Sequence, residues 1–396
     1  MLCQQETIRV IEDLMRHLDQ GTNVDAGVQL KNPVSAYTSP EIAAREWQSF
    51  FLDYPHVLGL SSDLPEPNCF ITSTDLGKPI LATRDKTGQF RAFLNVCRHR
   101  GTVVVDDERG QKSQFNCPFH GWGYNTRGEL ISVPKEDHFG KVDRSCHGLI
   151  ALPAEERWGL LWVHPDPGGV LDLETKLGGL AAELESWDLE QYRYHGSTTL
   201  EHKMNWKLAI DTFGETYHFN TLHRNSLARD FYGNVQTYDR YERNHRMMLC
   251  LKNIDTLRTQ KPADWNVLLG ALPVYYLFPN VQLIIGLSGP TLIRVYPDRD
   301  NPHSSCSRVS FYLDDEKAAE FQSTRLADPT DLAQRMIGFA EVIRDEDYVV
   351  AASAHIGAMS DAQTYVTFGR NEPALHHYHN TYREALGMPP LETVEA

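Results

Sequence analysis

Apolar residues along this chain follow two different periods, and the change between them divides it. Over residues 6–19, Ile8, Ile11, Met15 and Leu18 fall near one face of a helix. Ser39-Pro40-Glu41 marks a second helix start, with serine at the cap and proline in the first turn; that helix is expected to run to about Phe51. From 55 to about 165 the pattern becomes short strands broken by turns. Residues 79–83 and 90–94 are two such strands, with a turn at Lys86-Thr87-Gly88 between them. The stretch closes on an apolar strand at 158–163 and a breaker-rich boundary at Pro165-Asp166-Pro167-Gly168-Gly169. Beyond about 170 both periods occur. Residues 205–223 are helical in character, strands are expected at about 245–252, 273–278, 281–287, 290–296 and 306–313, and helices at 329–350 and about 374–386. The expected fold class is α+β. A helical segment (1–45) packs on the last domain, a small all-β domain covers 46–168, and an antiparallel-sheet and helix domain covers 169–396.

Composition narrows the partners. The chain has 396 residues, enough for two domains, and 41% of them are hydrophobic, enough for substantial cores. The formal net charge is −15 with no long basic cluster, which makes nucleic acid and anionic membrane poor partners. No 18-residue apolar stretch occurs, and the N-terminus lacks a charged segment followed by an apolar run, so neither a membrane span nor a signal peptide is expected. Seven scattered cysteines, an odd number, suit a cytoplasmic protein with reduced thiols, mostly buried where they hold no metal.

Two of those cysteines sit in short sets that pair a thiolate with an imidazole. The first reads Asn95-Val96-Cys97-Arg98-His99-Arg100-Gly101, the second Cys117-Pro118-Phe119-His120-Gly121-Trp122. Two Cys and two His so arranged are the ligand set of a Rieske [2Fe-2S] centre, in which imidazoles replace two thiolates on one iron and raise the potential. Either pair alone is weak evidence; both together, each His closely followed by Gly, are strong. A Cys₂His₂ zinc site is the competing reading, but zinc fingers do not carry these flanks. Ligands and flanks together resemble the Rieske domain of ring-hydroxylating oxygenases.

A second metal site is suggested by Asp211-Thr212-Phe213-Gly214-Glu215-Thr216-Tyr217-His218-Phe219-Asn220-Thr221-Leu222-His223. His218 and His223 are five apart, which is about 140° of rotation on an ideal helix, so both face one metal only if the helix bends or breaks. Alone, the pair reads as two satisfied histidines in a packed helix. In context it resembles the mononuclear-iron motif of the same family, which binds Fe(II) through two His and a downstream carboxylate and leaves open positions for O₂ and substrate. Arg344-Asp345-Glu346-Asp347 is similar to the family's downstream pattern. The resemblance assigns Asp347 as the ligand, with Asp345 and Glu346 as the other candidates. It also assigns Glu215 as the acid that bridges a Rieske ligand, His120, to a mononuclear ligand, His218. The family usually has Asp there; its branch acting on quaternary amines has Glu. Asp211 is read either as a water-mediated contact to the iron shell or as a structural hydrogen bonder. Trp122 and Trp158 read as core, and His376-His377-Tyr378-His379 as part of a polar closing helix.

The resemblance spans about residues 40 to 386. It implies a helix-grip, START-like last domain and the terminal, alpha component of a Rieske oxygenase. Its cofactors would be a Rieske [2Fe-2S] cluster and a mononuclear Fe(II). Electrons would come from NAD(P)H through a separate reductase or ferredoxin, because the chain has no convincing dinucleotide-binding Gly-rich unit. O₂ would be inserted, once or twice, into a small aromatic substrate, an aromatic acid or related ring being the first expectation. N- or O-demethylation or quaternary-amine oxidation is the alternative, and a non-catalytic electron-transfer or sensor protein a remote one. The family's two metal sites work across a subunit interface, which implies a head-to-tail homotrimer, with or without a beta subunit. Met247, Met248, Leu249, Leu251, Leu283, Ile284 and Ile285 are expected to be divided between substrate pocket and core.

Overall fold

The computed structural model describes residues 2–314 and 338–394. The chain forms two units, one of Gln48–Asp172 with Leu189–Gln191, the other of Met1–Trp47, Leu173–Asp188 and Tyr192–Ala396.

The first unit is built from one five-stranded and two three-stranded antiparallel sheets. Its strands are short because turn chemistry interrupts them. Ile80–Arg84 pairs with Phe90–Leu94. Between them Asp85 Oδ1 accepts from the Thr87 and Gln89 amides, and Gly88 takes a φ of 87°. Trp158 and Gly159 depart from the expected strand. They make the two-residue hairpin turn before Leu160–Val163, with φ values of 53° and 72°, as such a turn demands. Trp158 is therefore not core; it lies half-buried under the Arg157 guanidinium, 4.4 Å from its ring centre.

The second unit is organised by a seven-stranded antiparallel sheet. Six strands from Phe231–Tyr241 to Ser305–Leu313 form a meander, and Arg193–His202 pairs with the last of them. The five strands expected from the sequence all form, each within two residues of its expected ends. The two edge strands escape periodicity because they are largely polar and partly solvated along their length. The helix expected at 205–223 stops early, as Trp206–Asp211. Gly214 follows, and the Glu215 carboxylate then takes the Tyr217 and His218 amides that a helix would have used. Residues 329–337 of another expected helix lie outside the described residues; the rest passes through a wide π-turn at Ile343–Asp347 and continues as Tyr348–Ala358. The polar closing helix forms as Pro373–Ala385, with His376, His377, Tyr378 and His379 all buried.

All seven cysteines are free. Of the five with no assigned metal only Cys250 is buried, while Cys3 and Cys146 are exposed, so the expectation of mostly buried thiols does not hold. Among the described residues no helix is long and apolar enough to cross a membrane.

Candidate metal centres

The two Cys–His loops of the first unit have the same backbone scaffold although their Cys-to-His spacings differ. In each, glycine lies four residues after cysteine, in the left-handed region, with φ of 80° at Gly101 and 73° at Gly121. The glycine amide donates to the cysteine carbonyl, and the cysteine amide donates to the residue after the glycine (Cys97 to Thr102, 2.8 Å; Cys117 to Trp122, 2.9 Å). This closes each loop so that its amides turn inward: the Phe119 and His120 amides bond to the Cys117 sulfur. Both cysteines are buried within the unit's apolar core, whereas His99 is half-buried and His120 exposed. The imidazoles lie together, ring centres 4.7 Å apart, and Trp122 stacks on His99 at 4.9 Å and 7°. Two buried sulfurs behind two peripheral imidazoles are the donor set a Rieske [2Fe-2S] cluster requires.

Tyr124 is a neighbour of the cysteine loops that the motif reading missed. Its hydroxyl accepts the Arg98 amide at 3.0 Å and lies 3.4 Å from Cys97 Sγ. A metal-bound thiolate can only accept, so the phenol proton points at sulfur. Hydrogen bonds to cluster sulfurs favour the reduced state. Tyr124→Phe is therefore expected to lower the cluster potential by tens of millivolts, on the order of the effect of one sulfur hydrogen bond. Protein-film voltammetry reads this directly, and an unchanged midpoint would remove Tyr124 from the cluster's environment.

In the second unit, His218, His223 and Asp347 bring three ligand atoms within 4.8 Å of one another. The break after Asp211 is what allows it: both histidines sit on turns, so the 140° problem does not arise. His218 Nε2 lies 3.2 Å from His223 Nε2, and Asp347 Oδ1 lies 3.4 Å and 3.2 Å from these two nitrogens. Three ligands about 2.1 Å from one metal at right angles would be about 3.0 Å apart, so this triangle fits a facial triad. Tautomers point the same way. Glu215 bonds to His218 Nδ1, and Glu346 lies 2.7 Å from His223 Nδ1. With the ring protons on Nδ1, two lone pairs and a carboxylate face one another, an arrangement that needs a cation. Burial alone would strip His218 of its second proton; the carboxylates of Asp347 and Glu215 outweigh it and hold the pKa at about 9. The same excess of negative donors suits a divalent ion.

The π-turn sends the three downstream acids in three directions. Asp347 turns inward and is buried. Asp345 is exposed and pairs with Arg344 at 2.7 Å. Glu346 holds His223 and also accepts from Ser226 Oγ at 2.7 Å. Glu346 is thus placed to orient a candidate ligand rather than to be one, a role the sequence reading did not give it. Glu346→Ala is expected to weaken Fe(II) binding about 10–100-fold, the usual cost of losing such a partner, measured by ferrous titration. Asp211 stands apart, its carboxylate engaged by Tyr37 and His379. Of the seven apolar residues considered for the pocket, Leu249 and Ile284 line it and the other five do not.

That pocket is lined by His218, His223, Asp347 and Glu215 together with mostly apolar side chains, Phe213, Phe219, Phe231 and Phe339 among them. Thr212 is the one other polar residue among the described lining residues.

Comparisons with known proteins agree with both centres. Residues 55–148 match the family model of the Rieske [2Fe-2S] domain, and residues 189–388, just over half of the chain, match that of the ring hydroxylating alpha subunit (catalytic domain). Choline monooxygenase of Spinacia oleracea is 24% identical over 367 residues, which cover 89% of this chain and 78% of that protein. The carnitine monooxygenase oxygenase subunit of Acinetobacter baumannii is 29% identical over 193 residues, 48% of this chain and 52% of that protein. The large oxygenase component of the naphthalene 1,2-dioxygenase system of Ralstonia sp is 34% identical over 200 residues, 47% of this chain and 41% of that protein. The chain thus spans about half the length of the last two. Among solved structures, a quaternary ammonium Rieske monooxygenase with L-carnitine has a TM-score of 0.74 at 20% identity, covering 91% of this chain and 96% of that one. Naphthalene 1,2-dioxygenase from Rhodococcus sp. bound to indole has a TM-score of 0.67 at 19% identity, covering 96% of this chain and 97% of that one.

Proposed function

The chain belongs to the ring-hydroxylating oxygenase alpha-subunit family, and from that premise we propose that it is a terminal oxygenase acting on a small, neutral, apolar substrate. The observation that carries the proposal is one apolar pocket onto which both histidines and Asp347 open. When bound, the [2Fe-2S] cluster supplies single electrons and the ferrous ion supplies activation of O₂. The protein does the rest. Cys97, Cys117, His99 and His120 hold the cluster, and His218, His223 and Asp347 hold the iron from one side. Glu215 and Glu346 fix the two ligand tautomers. The phenylalanine walls exclude water and orient substrate.

The same walls select the substrate. No Arg or Lys is among the described lining residues, so a carboxylate would lose its hydration without a partner. An aromatic acid, the first expectation from the sequence, therefore fits less well than a neutral ring. About 60 Å³ of the pocket is open to a water-sized sphere, well under the roughly 150 Å³ of a cavity that holds benzene, so any ring must displace side chains on entry. Relatives named for naphthalene and 2,4-dinitrotoluene act on neutral rings of this kind. Quaternary-amine oxidation is the second reading. Glu215 and the long alignment with choline monooxygenase favour it, and phenyl faces offer such a cation modest attraction.

We further propose that electrons arrive from a separate reductase or ferredoxin, and that three copies form a ring in which His120 of one meets Glu215 of the next. Exposed Phe119 and Phe139 flank the imidazoles and exposed Tyr217 adjoins Glu215, apolar surfaces suited to an interface. The test combines reduced donor, ¹⁸O₂ and either toluene or choline. Labelled product from toluene supports the neutral reading, labelled product from choline alone selects the second, and none from either rejects both.

A further inference from the structure

Asp211 ends the helix Trp206–Asp211, and four residues later the chain places Glu215. Asp211 Oδ2 accepts the Tyr37 hydroxyl at 2.6 Å, and its Oδ1 accepts from His379 Nε2 at 2.9 Å. Asn32 Nδ2 donates to His379 Nδ1 at 3.1 Å and to the Tyr37 oxygen at 3.0 Å. Because Nδ1 accepts there, the His379 ring proton is on Nε2 and points at Asp211. Tyr37, Asn32 and His379 are each at least 98% buried, so a bond lost among them strands a buried polar group, while the Asp211 carboxylate they hold is half-buried. Its members come from four separate elements: Leu30–Pro33, Ser35–Thr38, Trp206–Asp211 and Pro373–Ala385.

The closing helix holds the same segment a second time. A Cβ on Gly214 would lie 2.5 Å from Leu375 and 2.8 Å from Tyr378. The chain is thus gripped at Asp211 and again at Gly214. Thr212 and Phe213, between the grips, line the pocket, and Glu215 follows directly. Stability alone does not explain why both grips bracket the one turn that leads into the bridging acid.

We propose that Tyr37, Asp211 and His379 form a clamp that positions the Glu215 carboxylate for transfer between the two metal sites, a role resting on the proposed function of Glu215. These are positioning residues, since none of them lines the pocket. Misplacing a reacting group by about 1 Å can cost 10²-fold in rate.

The experiment uses full-length Tyr37→Phe and His379→Leu, with His379→Gln as the conservative variant that keeps a donor near the Nε2 position. In the absence of mononuclear iron, amide hydrogen exchange over 212–218 is expected to rise about tenfold in the first two and little in His379→Gln, with the sheet strands unchanged. In loaded protein, single-turnover cluster oxidation is expected to slow about tenfold at unaltered iron content and cluster potential. In a Glu215→Gln background, Tyr37→Phe is expected to add less than about twofold. Unchanged exchange over 212–218, a rise spread over the whole unit, or slowing that multiplies with Glu215→Gln would overturn the clamp. If Glu215→Gln alone leaves oxidation at the wild-type rate, the bridge fails instead, and the exchange measurement still decides whether the turn is held. Should Tyr37→Phe not fold, His379→Leu against His379→Gln carries the same comparison.

Discussion

Asp347→Ala is expected to abolish oxygenation and empty the mononuclear site while the visible absorption of the Rieske cluster persists. Asp347 is the one carboxylate among the three converging ligand atoms, and it is buried. Alanine leaves two imidazole nitrogens 3.2 Å apart and no anionic donor between them. Two neutral ligands hold Fe(II) poorly, so the loss should exceed the roughly 10–100-fold typical of an outer partner such as Glu346. The proposed cluster ligands Cys97, His99, Cys117 and His120 all belong to the other unit, so its absorption reports on a separate site. Iron and acid-labile sulfide per chain make the distinction: three irons to two sulfides in the wild type, two to two in the variant even with added Fe(II). Asp345→Ala is the matched control, an exposed acid whose partner is the exposed Arg344, with an expected effect within about 0.5 kcal/mol on stability and none on iron. Full iron and activity in Asp347→Ala would move the ligand to Glu346.

The candidate ligands were legible in the sequence, and much of the structure around them was not. Cys97, His99, Cys117 and His120 stand in local motifs whose spacing and flanks suffice to nominate them, whereas the five-residue spacing of His218 and His223 is weak alone and needed the resemblance. Asp347 lies 124 residues beyond His223, and resemblance was needed to choose it over its two acidic neighbours. The π-turn that separates the three acids is a backbone detail that periodicity does not encode. The expected helix through 223 was wrong for a related reason. Helix propensity sees apolar spacing, whereas the side chain of Glu215 competing for the amides of Tyr217 and His218 depends on one rotamer. Tyr124 and His379 were hidden because a tyrosine on a strand and a histidine in a closing helix look the same whether they meet solvent, a sulfur or Asp211. Their partners are remote in sequence, 27 residues away for Cys97 and 168 for Asp211, and only the fold brings them together.

Glu215→Gln is expected to keep both metal sites and to slow transfer between them by about a hundredfold or more. The carboxylate makes more contacts than an amide can match. Oε1 takes the His218 Nδ1 proton, and Oε2 accepts from the Tyr217 and His218 amides. In the proposed ring, an imidazole N–H arriving from His120 of a neighbouring subunit would need a further acceptor lone pair on the same side. Glutamine has one oxygen. Bound iron demands that Nε2 of His218 stay unprotonated, which keeps the proton on Nδ1 and draws the amide oxygen toward it. The NH₂ group is then left facing the backbone amides and the incoming imidazole, where it can only donate. The side chain keeps its size, so the pocket and the ligand triangle should survive, with iron occupancy restored at saturating Fe(II). The proposed bond across the subunit interface should not survive. Stopped-flow oxidation of the pre-reduced cluster, with substrate and O₂ present, separates these outcomes. Slow oxidation at full iron content assigns Glu215 to the bridge, slow oxidation with missing iron assigns it to holding His218 alone, and a wild-type rate removes it from the path.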